Sequence, residues 1–148
     1  MHNNILSHPI FVNEESLHLL DGMSCVFLAV DRGSIKKSII DHLLKQGVRA
    51  IDVGIGVERI DDSLIAPLRV TGVDQDKHDH VQKRIPLSDD PNEAYNSNIQ
   101  IAELNCLNAA LAVIKWKKWI GFYNDPENEY HSTYSVNVSQ LLNDEIKA

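Results

Sequence analysis

Cys25-Val-Phe-Leu-Ala-Val30, a helical stripe of Ile35, Ile39, Ile40, Leu43 and Leu44, and Val48-Arg-Ala-Ile-Asp-Val53 together decide the fold. The first run is continuously apolar and ends in the charge of Asp31, the pattern of a strand buried on both faces of a parallel sheet. The isoleucines and leucines after Gly33 fall four, five, eight and nine positions from Ile35, which puts them on one face of a helix. Ser34 is placed to cap that helix and Gly47 to close it. The second run reads as another buried strand. A β-α-β unit this short implies parallel strands and a right-handed crossover, hence an α/β, Rossmann-like partial sheet.

Outward from this unit the pattern is less regular. Upstream, Pro9 to Val12 reads as a short strand, and Asn13 as the cap of one or two helical turns through Leu20. Downstream, Gly54-Ile-Gly56 breaks the chain, and Leu64 to Val73 reads as a strand whose Pro67 argues for an edge position or a bulge. Residues 74–96 are polar and reduce to a long, exposed, mobile loop of the length that is usually functional. Asn98 to Trp119 is the longest helix, apolar on nearly every side, and so expected to be buried by its own domain or by a partner subunit. Gly121 ends it, Tyr134 to Val138 alternates like a strand, and Ser139 is placed to cap a short terminal helix.

The 148 residues suit one domain, and 43% hydrophobic with 24% charged side chains is an ordinary globular mixture. A net charge of −7 disfavours nucleic acid and anionic membranes as partners. No apolar run approaches the roughly 20 residues that span a bilayer, and the start of the chain lacks a secretory pattern, so a cytoplasmic location is expected. Neither G-x-G-x-x-G nor G-x-x-x-x-G-K-[ST] occurs.

Asp31 is the most informative single residue. Ligands of open α/β sheets bind beyond the carboxyl ends of the strands, where an acidic residue followed by Arg32-Gly33 is placed to hold a metal, a ribose or phosphate-bound Mg²⁺. The alternative is an Asp that caps the next helix or pairs with Arg32, since acidic residues and glycines after strands are common turn chemistry. Gly54 and Gly56 lie at the same sheet edge and permit either close ligand approach or an ordinary tight turn. Asp52, inside a strand, requires a partner such as an Arg or a backbone donor. His78-Asp79-His80 has metal-ligand chemistry, but on a polar loop with no further His or Cys at ligand spacing it reads as solvated surface. Cys25 and Cys106 fall within apolar elements, without the electropositive setting of a reactive thiolate. Asn105 and Asn108 are expected to pin a neighbouring loop or helix end, and Trp116 and Trp119 to form a packed helix end with solvated lysines.

Several stretches in order resemble the second half of the ThiF/MoeB/HesA family of ubiquitin-activating-enzyme-like adenylyltransferases. They are Val26-Phe-Leu-Ala-Val-Asp31, the helix with Ile39-Ile40 and Leu43-Leu44, Ile51-Asp-Val-Gly-Ile-Gly56, Leu68-Arg-Val-Thr71, and Tyr95-Asn-Ser-Asn-Ile-Gln-Ile-Ala-Glu-Leu-Asn-Cys-Leu-Asn-Ala-Ala-Leu-Ala-Val-Ile-Lys-Trp116. The resemblance implies ATP-dependent activation of the C-terminal carboxylate of a ubiquitin-like or sulfur-carrier protein as an acyl-adenylate. A homodimer is the expected assembly, with the apolar helix Asn98 to Trp119 as a candidate interface.

By the same resemblance Asp31 holds Mg²⁺ at the ATP phosphates, Lys36 stands where relatives carry Arg, and Gly54 and Gly56 border the adenylate. Residues 74–96 match the crossover segment over the substrate tail, which here contains no cysteine. Arg32 stands where relatives have Asn. The family's glycine-rich ATP loop belongs to an N-terminal half, so residues 1–148 read as the C-terminal half of a larger adenylation domain, inactive alone. The alternative is a non-catalytic dimerisation or binding module derived from the same fold.

Overall fold

The computed structural model describes residues 4–89 and 100–143. It is an α/β structure built on a five-stranded mixed sheet in the order β1-β2-β5-β6-β7. The strands are β1 (Cys25–Leu28), β2 (Arg49–Ile55), β5 (Pro67–Val73), β6 (His131–Ser135) and β7 (Gln140–Asn143). A separate hairpin pairs β3 (Glu58–Ile60) with β4 (Ser63–Ile65). The helices are α1 (Gly33–Gln46), α2 (Val81–Arg84) and α3 (Ala102–Trp119).

The expected β-α-β unit is present: β1 and β2 are parallel, with Cys25 opposite Arg49 and Leu28 opposite Asp52. Gly47 closes α1 in the left-handed conformation, at φ 70°. The Asn13 cap also forms: its side chain accepts the Ser16 N–H at 3.1 Å, and Ser16 Oγ accepts the Asn13 N–H at 2.8 Å. This reciprocal pair starts a 3₁₀ helix over Glu14–Leu20.

Strand alternation assigns the two faces. Val26, Leu28, Ala50 and Val73 meet Ile39, Ile40 and Leu43 of α1, while Ile51 and Val70 meet Ala112, Trp116 and Trp119 of α3. Gly72 lies under Trp119, where an added Cβ would stand 2.3 Å from the indole ring. Only a bare backbone lets that ring reach the sheet.

Several expectations are corrected. Pro9 to Val12 forms no strand. β1 stops at Leu28 and lies at the sheet edge, which leaves Phe27 45% exposed instead of buried on both faces. Leu64 to Val73 divides at Ala66 into β4 and β5, and Pro67 begins an interior strand, a first position where its missing N–H is tolerated. Gly54 lies within β2 instead of breaking it. Residues 74–89 are not an open loop, since Val81 and Ile85 pack against the α1 side of the sheet and Asp74 and His80 are buried as well; loop residues 90–96 fall outside the described residues.

The long helix begins at Ala102, and its expected first residues Asn98 and Ile99 are likewise outside the described residues. It is not buried all round: Leu104, Asn108, Ala112 and Lys115 form one buried face, whereas Val113 and Ile114 are exposed. Cys106 on this helix is exposed as well. The strand expected over Tyr134 to Val138 is β6, ending at Ser135, and a 3₁₀ turn over Val136–Val138. Ser139, at φ 52°, then turns the chain into β7 where a helix was expected. Among the described residues no helix is long and apolar enough to cross a membrane.

Candidate functional site

The α1-facing side of the sheet changes character along its strands. Toward the amino end of β2 it is apolar, but from Asp52 onward the register sets Asp52, Thr71 and His131 in one row across β2, β5 and β6. Gly54, Arg69 and Thr133 form the next row. This polar belt lies toward the carboxyl ends of the parallel strands β1 and β2, the end at which α/β sheets bind ligands.

Asp52 is fully buried and receives two cations. Lys36 Nζ, from the first turns of α1, lies 2.9 Å from Oδ1, and Arg69 Nη2 donates to Oδ2 at 2.7 Å. The Arg partner expected for Asp52 is therefore present, with a lysine beside it. His131 is buried between hydroxyls, its Nδ1 2.9 Å from Thr71 Oγ1 and its Nε2 3.3 Å from Thr133 Oγ1.

The four residues singled out from the sequence have distinct surroundings. Asp31 is exposed just past β1, and its carboxylate takes part in no hydrogen bond or ion pair with the described residues. Lys36 is 3% exposed and committed to Asp52, so it cannot reach a ligand without leaving that pair. Gly54 carries the Arg69 guanidinium over it: an added Cβ would stand 2.5 Å from Arg69 Nη2. The Gly54 carbonyl accepts a hydrogen bond from Asn108 Nδ2 at 3.1 Å, so that amide pins a strand of the belt itself. Asn105 is exposed, and among the described residues its side chain bonds locally, to Gln100. Gly56 donates its N–H to the Pro67 carbonyl, and an added Cβ would meet Pro67 at an ordinary 3.6 Å.

The two glycines therefore differ in kind. Gly54→Ala is expected to lower the urea-unfolding free energy by about 1–3 kcal/mol, because the methyl drives Arg69 off a buried carboxylate. Gly56→Ala should stay within about 0.5 kcal/mol of the parent. Equal effects at the two positions would refute the contact assigned to Gly54.

Asp89 completes the junction of β1 and α1. Its carboxylate accepts from the Ser34 N–H at 3.3 Å and from the Ser34 hydroxyl, and these bonds hold its pKa below the ordinary value. Ser34 thus does not cap α1 but is itself capped. Gly33 is required by this contact, since an added Cβ would lie 2.5 Å from the Ser88 carbonyl oxygen.

His80 donates its Nε2–H to the Gly72 carbonyl, 2.8 Å away, so the His78-Asp79-His80 segment is anchored to the fold. Among the described residues no group of three or more His, Cys, Asp or Glu side chains converges as a metal site. Burial pushes the Cys25 thiol pKa up, which does not favour a thiolate.

A cleft of about 420 Å³ lies at the opposite end of the sheet, lined by Arg49, Asp74, Trp119, Tyr123, Asp125 and Tyr130 among others. It contains none of Asp31, Lys36, Gly54 and Gly56. Its carboxylates are already engaged: Asp74 accepts from the Tyr130 hydroxyl at 2.9 Å, and Asp125 accepts from Lys118 at 3.2 Å. Burial and the Asp74 bond push the Tyr130 phenol pKa well up, leaving it a hydrogen-bond donor. The lysines at this helix end are not all solvated as expected, because Lys115 is 2% exposed against Glu129.

The sequence reading identified Asp31, Lys36 and Asp52 but passed over Arg69, Thr71, His131 and Thr133. A cation within the apolar run Leu68-Arg-Val-Thr71 was the available signal, since a buried Asp on one strand and an Arg on another ask to be paired. Comparison with protein-family models gives no match, and comparison with curated proteins gives none either.

Proposed function

We propose that this chain supplies the carboxyl-end portion of an ATP-dependent adenylating site, which activates the C-terminal carboxylate of a ubiquitin-like or sulfur-carrier protein as an acyl-adenylate. The observation that carries the reading is Asp31: an exposed, unengaged carboxylate just past a parallel strand, beside a polar belt. The donor chemistry fits Mg²⁺, which is commonly held by one or two carboxylates with the remaining positions filled by water and substrate phosphates. Mg²⁺ supplies charge neutralisation at the phosphates when bound.

The chain's own residues do the rest by placement. Asp31 would hold the metal at the rim, Gly56 leaves the adjoining backbone uncovered, and Lys36 acts behind the site by fixing Asp52. The glycine-rich phosphate loop is absent from these residues and must come from elsewhere.

ATP–pyrophosphate exchange, run with the carrier protein in the protein context that supplies that loop, tests the reading. Asp31→Ala is expected to lower exchange by about 100-fold or more, the scale for losing one electrostatic group at a reacting centre. Its unfolding free energy should remain within about 0.5 kcal/mol of the parent, as for an exposed side chain. Exchange undiminished in Asp31→Ala would refute the proposal.

A second reading, a non-catalytic module that associates through α3, is favoured by Val113 and Ile114, exposed by 42% and 41%. Sedimentation across the micromolar range should then show a dimer that Val113→Glu with Ile114→Glu abolishes. A monomer throughout would remove it.

A further inference from the structure

We infer that Arg69, backed by Lys36, is the seat of one anionic ligand group, a carboxylate or phosphate oxygen. The inference begins with a charge count. Lys36 and Arg69 both engage Asp52, which is 0% exposed, and neither cation has another ion-pair partner among the described residues. Thr71 and Thr133 contribute hydroxyls but no charge to the belt. Two cations against one carboxylate leave one excess positive charge where Lys36 is sealed from solvent and Arg69 only partly exposed, and a bound anion would offset it.

The geometry shows where that anion enters. Arg69 uses Nη2 on Asp52, while its Nε–H is buried without a hydrogen-bond partner. The side chain is 23% exposed, so the guanidinium is reachable from outside, whereas Lys36 is sealed behind it at 4%. Gly54 makes room for the guanidinium itself, since an added Cβ there would stand 2.5 Å from Arg69 Nη2. A planar guanidinium with unused donors matches the paired oxygens of a carboxylate or phosphate. The seat lies at the same end of the sheet as Asp31. On the function proposed above, from which this part of the assignment follows, its ligand is the terminal carboxylate of the carrier protein, held before it reacts.

The seat is tested without ATP or a carrier. Arginine Nε–H signals of the full ¹⁵N-labelled chain are followed during separate titrations with sodium acetate and inorganic phosphate, at ionic strength held constant with sodium chloride. One signal, absent in Arg69→Gln, is expected to shift and saturate. Saturation by acetate alone identifies a carboxylate seat, by phosphate alone a phosphate seat, and by both a general oxyanion seat.

Lys36→Met should weaken the response. Asp52→Asn should strengthen it by about tenfold, because it removes the internal competitor for the same cations. A merely structural Arg69 would not give these opposite directions. Should Asp52→Asn fail to fold, Arg69→Gln and Lys36→Met still decide. A response that stays linear in both salts, or that saturates unchanged in Arg69→Gln, overturns the seat. Saturation by acetate alongside a failed exchange assay would remove the adenylation reading and leave the seat standing; the reverse result would remove the seat alone.

Discussion

Asp52→Ala is expected to destabilise the protein by about 3–5 kcal/mol, read as a shift of the urea-unfolding midpoint, because it strands two cations in the sheet. Asp52 is fully buried, and the groups left behind are the 3%-exposed Lys36 and the partly covered Arg69. A fold of this size is commonly stable by only about 5–15 kcal/mol, so the loss is a large fraction of the whole. Replacing the trio together, with Lys36→Met, Asp52→Leu and Arg69→Met, should recover most of it, since desolvating three charges is itself unfavourable. A single Asp52→Ala loss below about 1 kcal/mol would show that water reaches the pair and that the belt is not dry.

A comparable loss, about 3–5 kcal/mol, is expected of Glu129→Ala at the far end of α3. Lys115 Nζ donates to the Glu129 carbonyl at 3.1 Å and approaches its Oε1 at 3.4 Å, and Lys118 reaches the same oxygen at 3.3 Å. Lys115→Met should cost less than about 2 kcal/mol, because Lys118 still holds Glu129 and methionine fills the lysine's volume.

The two variants also differ in their pH response. Burial holds the Lys115 pKa below its ordinary value of 10.5, and Glu129 opposes that fall. A lysine whose folded pKa lies below its unfolded one favours the fold when neutral. Stability from this group therefore rises as pH climbs through the folded pKa toward 10.5 and is lost as pH falls. Without Glu129 the Lys115 pKa drops further, so Glu129→Ala should regain more stability than the parent between neutral pH and that value. Denaturation midpoints at a series of pH values check the sign, and a flat difference would count against the buried pairing.

The parts of this fold that are legible in the sequence are those decided by nearby residues. The β1-α1-β2 unit follows from apolar runs and a helical stripe within 30 positions, and the Asn13 cap from a side chain three residues from its partner. Asp31 is legible for the same reason: strand end and acidic residue are neighbours in the chain.

What escapes the sequence depends on register or on an inverted pattern. Arg69 meets Asp52 only because β2 and β5 pair antiparallel with Asp52 opposite Thr71. On α3 the polar Asn108 and Lys115 face inward, each with a specific partner, while Val113 and Ile114 face out. Hydrophobicity alone assigns such a helix to the interior on all sides. The edge position of β1 is hidden likewise, because an apolar run says that a strand has the composition for burial but not whether a neighbour covers it.

The pairing of β5 with β6 bears on the order in which the chain assembles. Arg69 and Asp52 stand 17 residues apart, whereas Thr71 and His131 are 60 apart and are joined across a ladder whose connection contains the whole of α3. Closing the longer loop costs more chain entropy and depends on more structure being in place first. The Arg69–Asp52 contact is therefore expected to form before the Thr71–His131 contact, which waits for β6 to join the sheet. Substitutions at His131 should accordingly speed unfolding far more than they slow refolding.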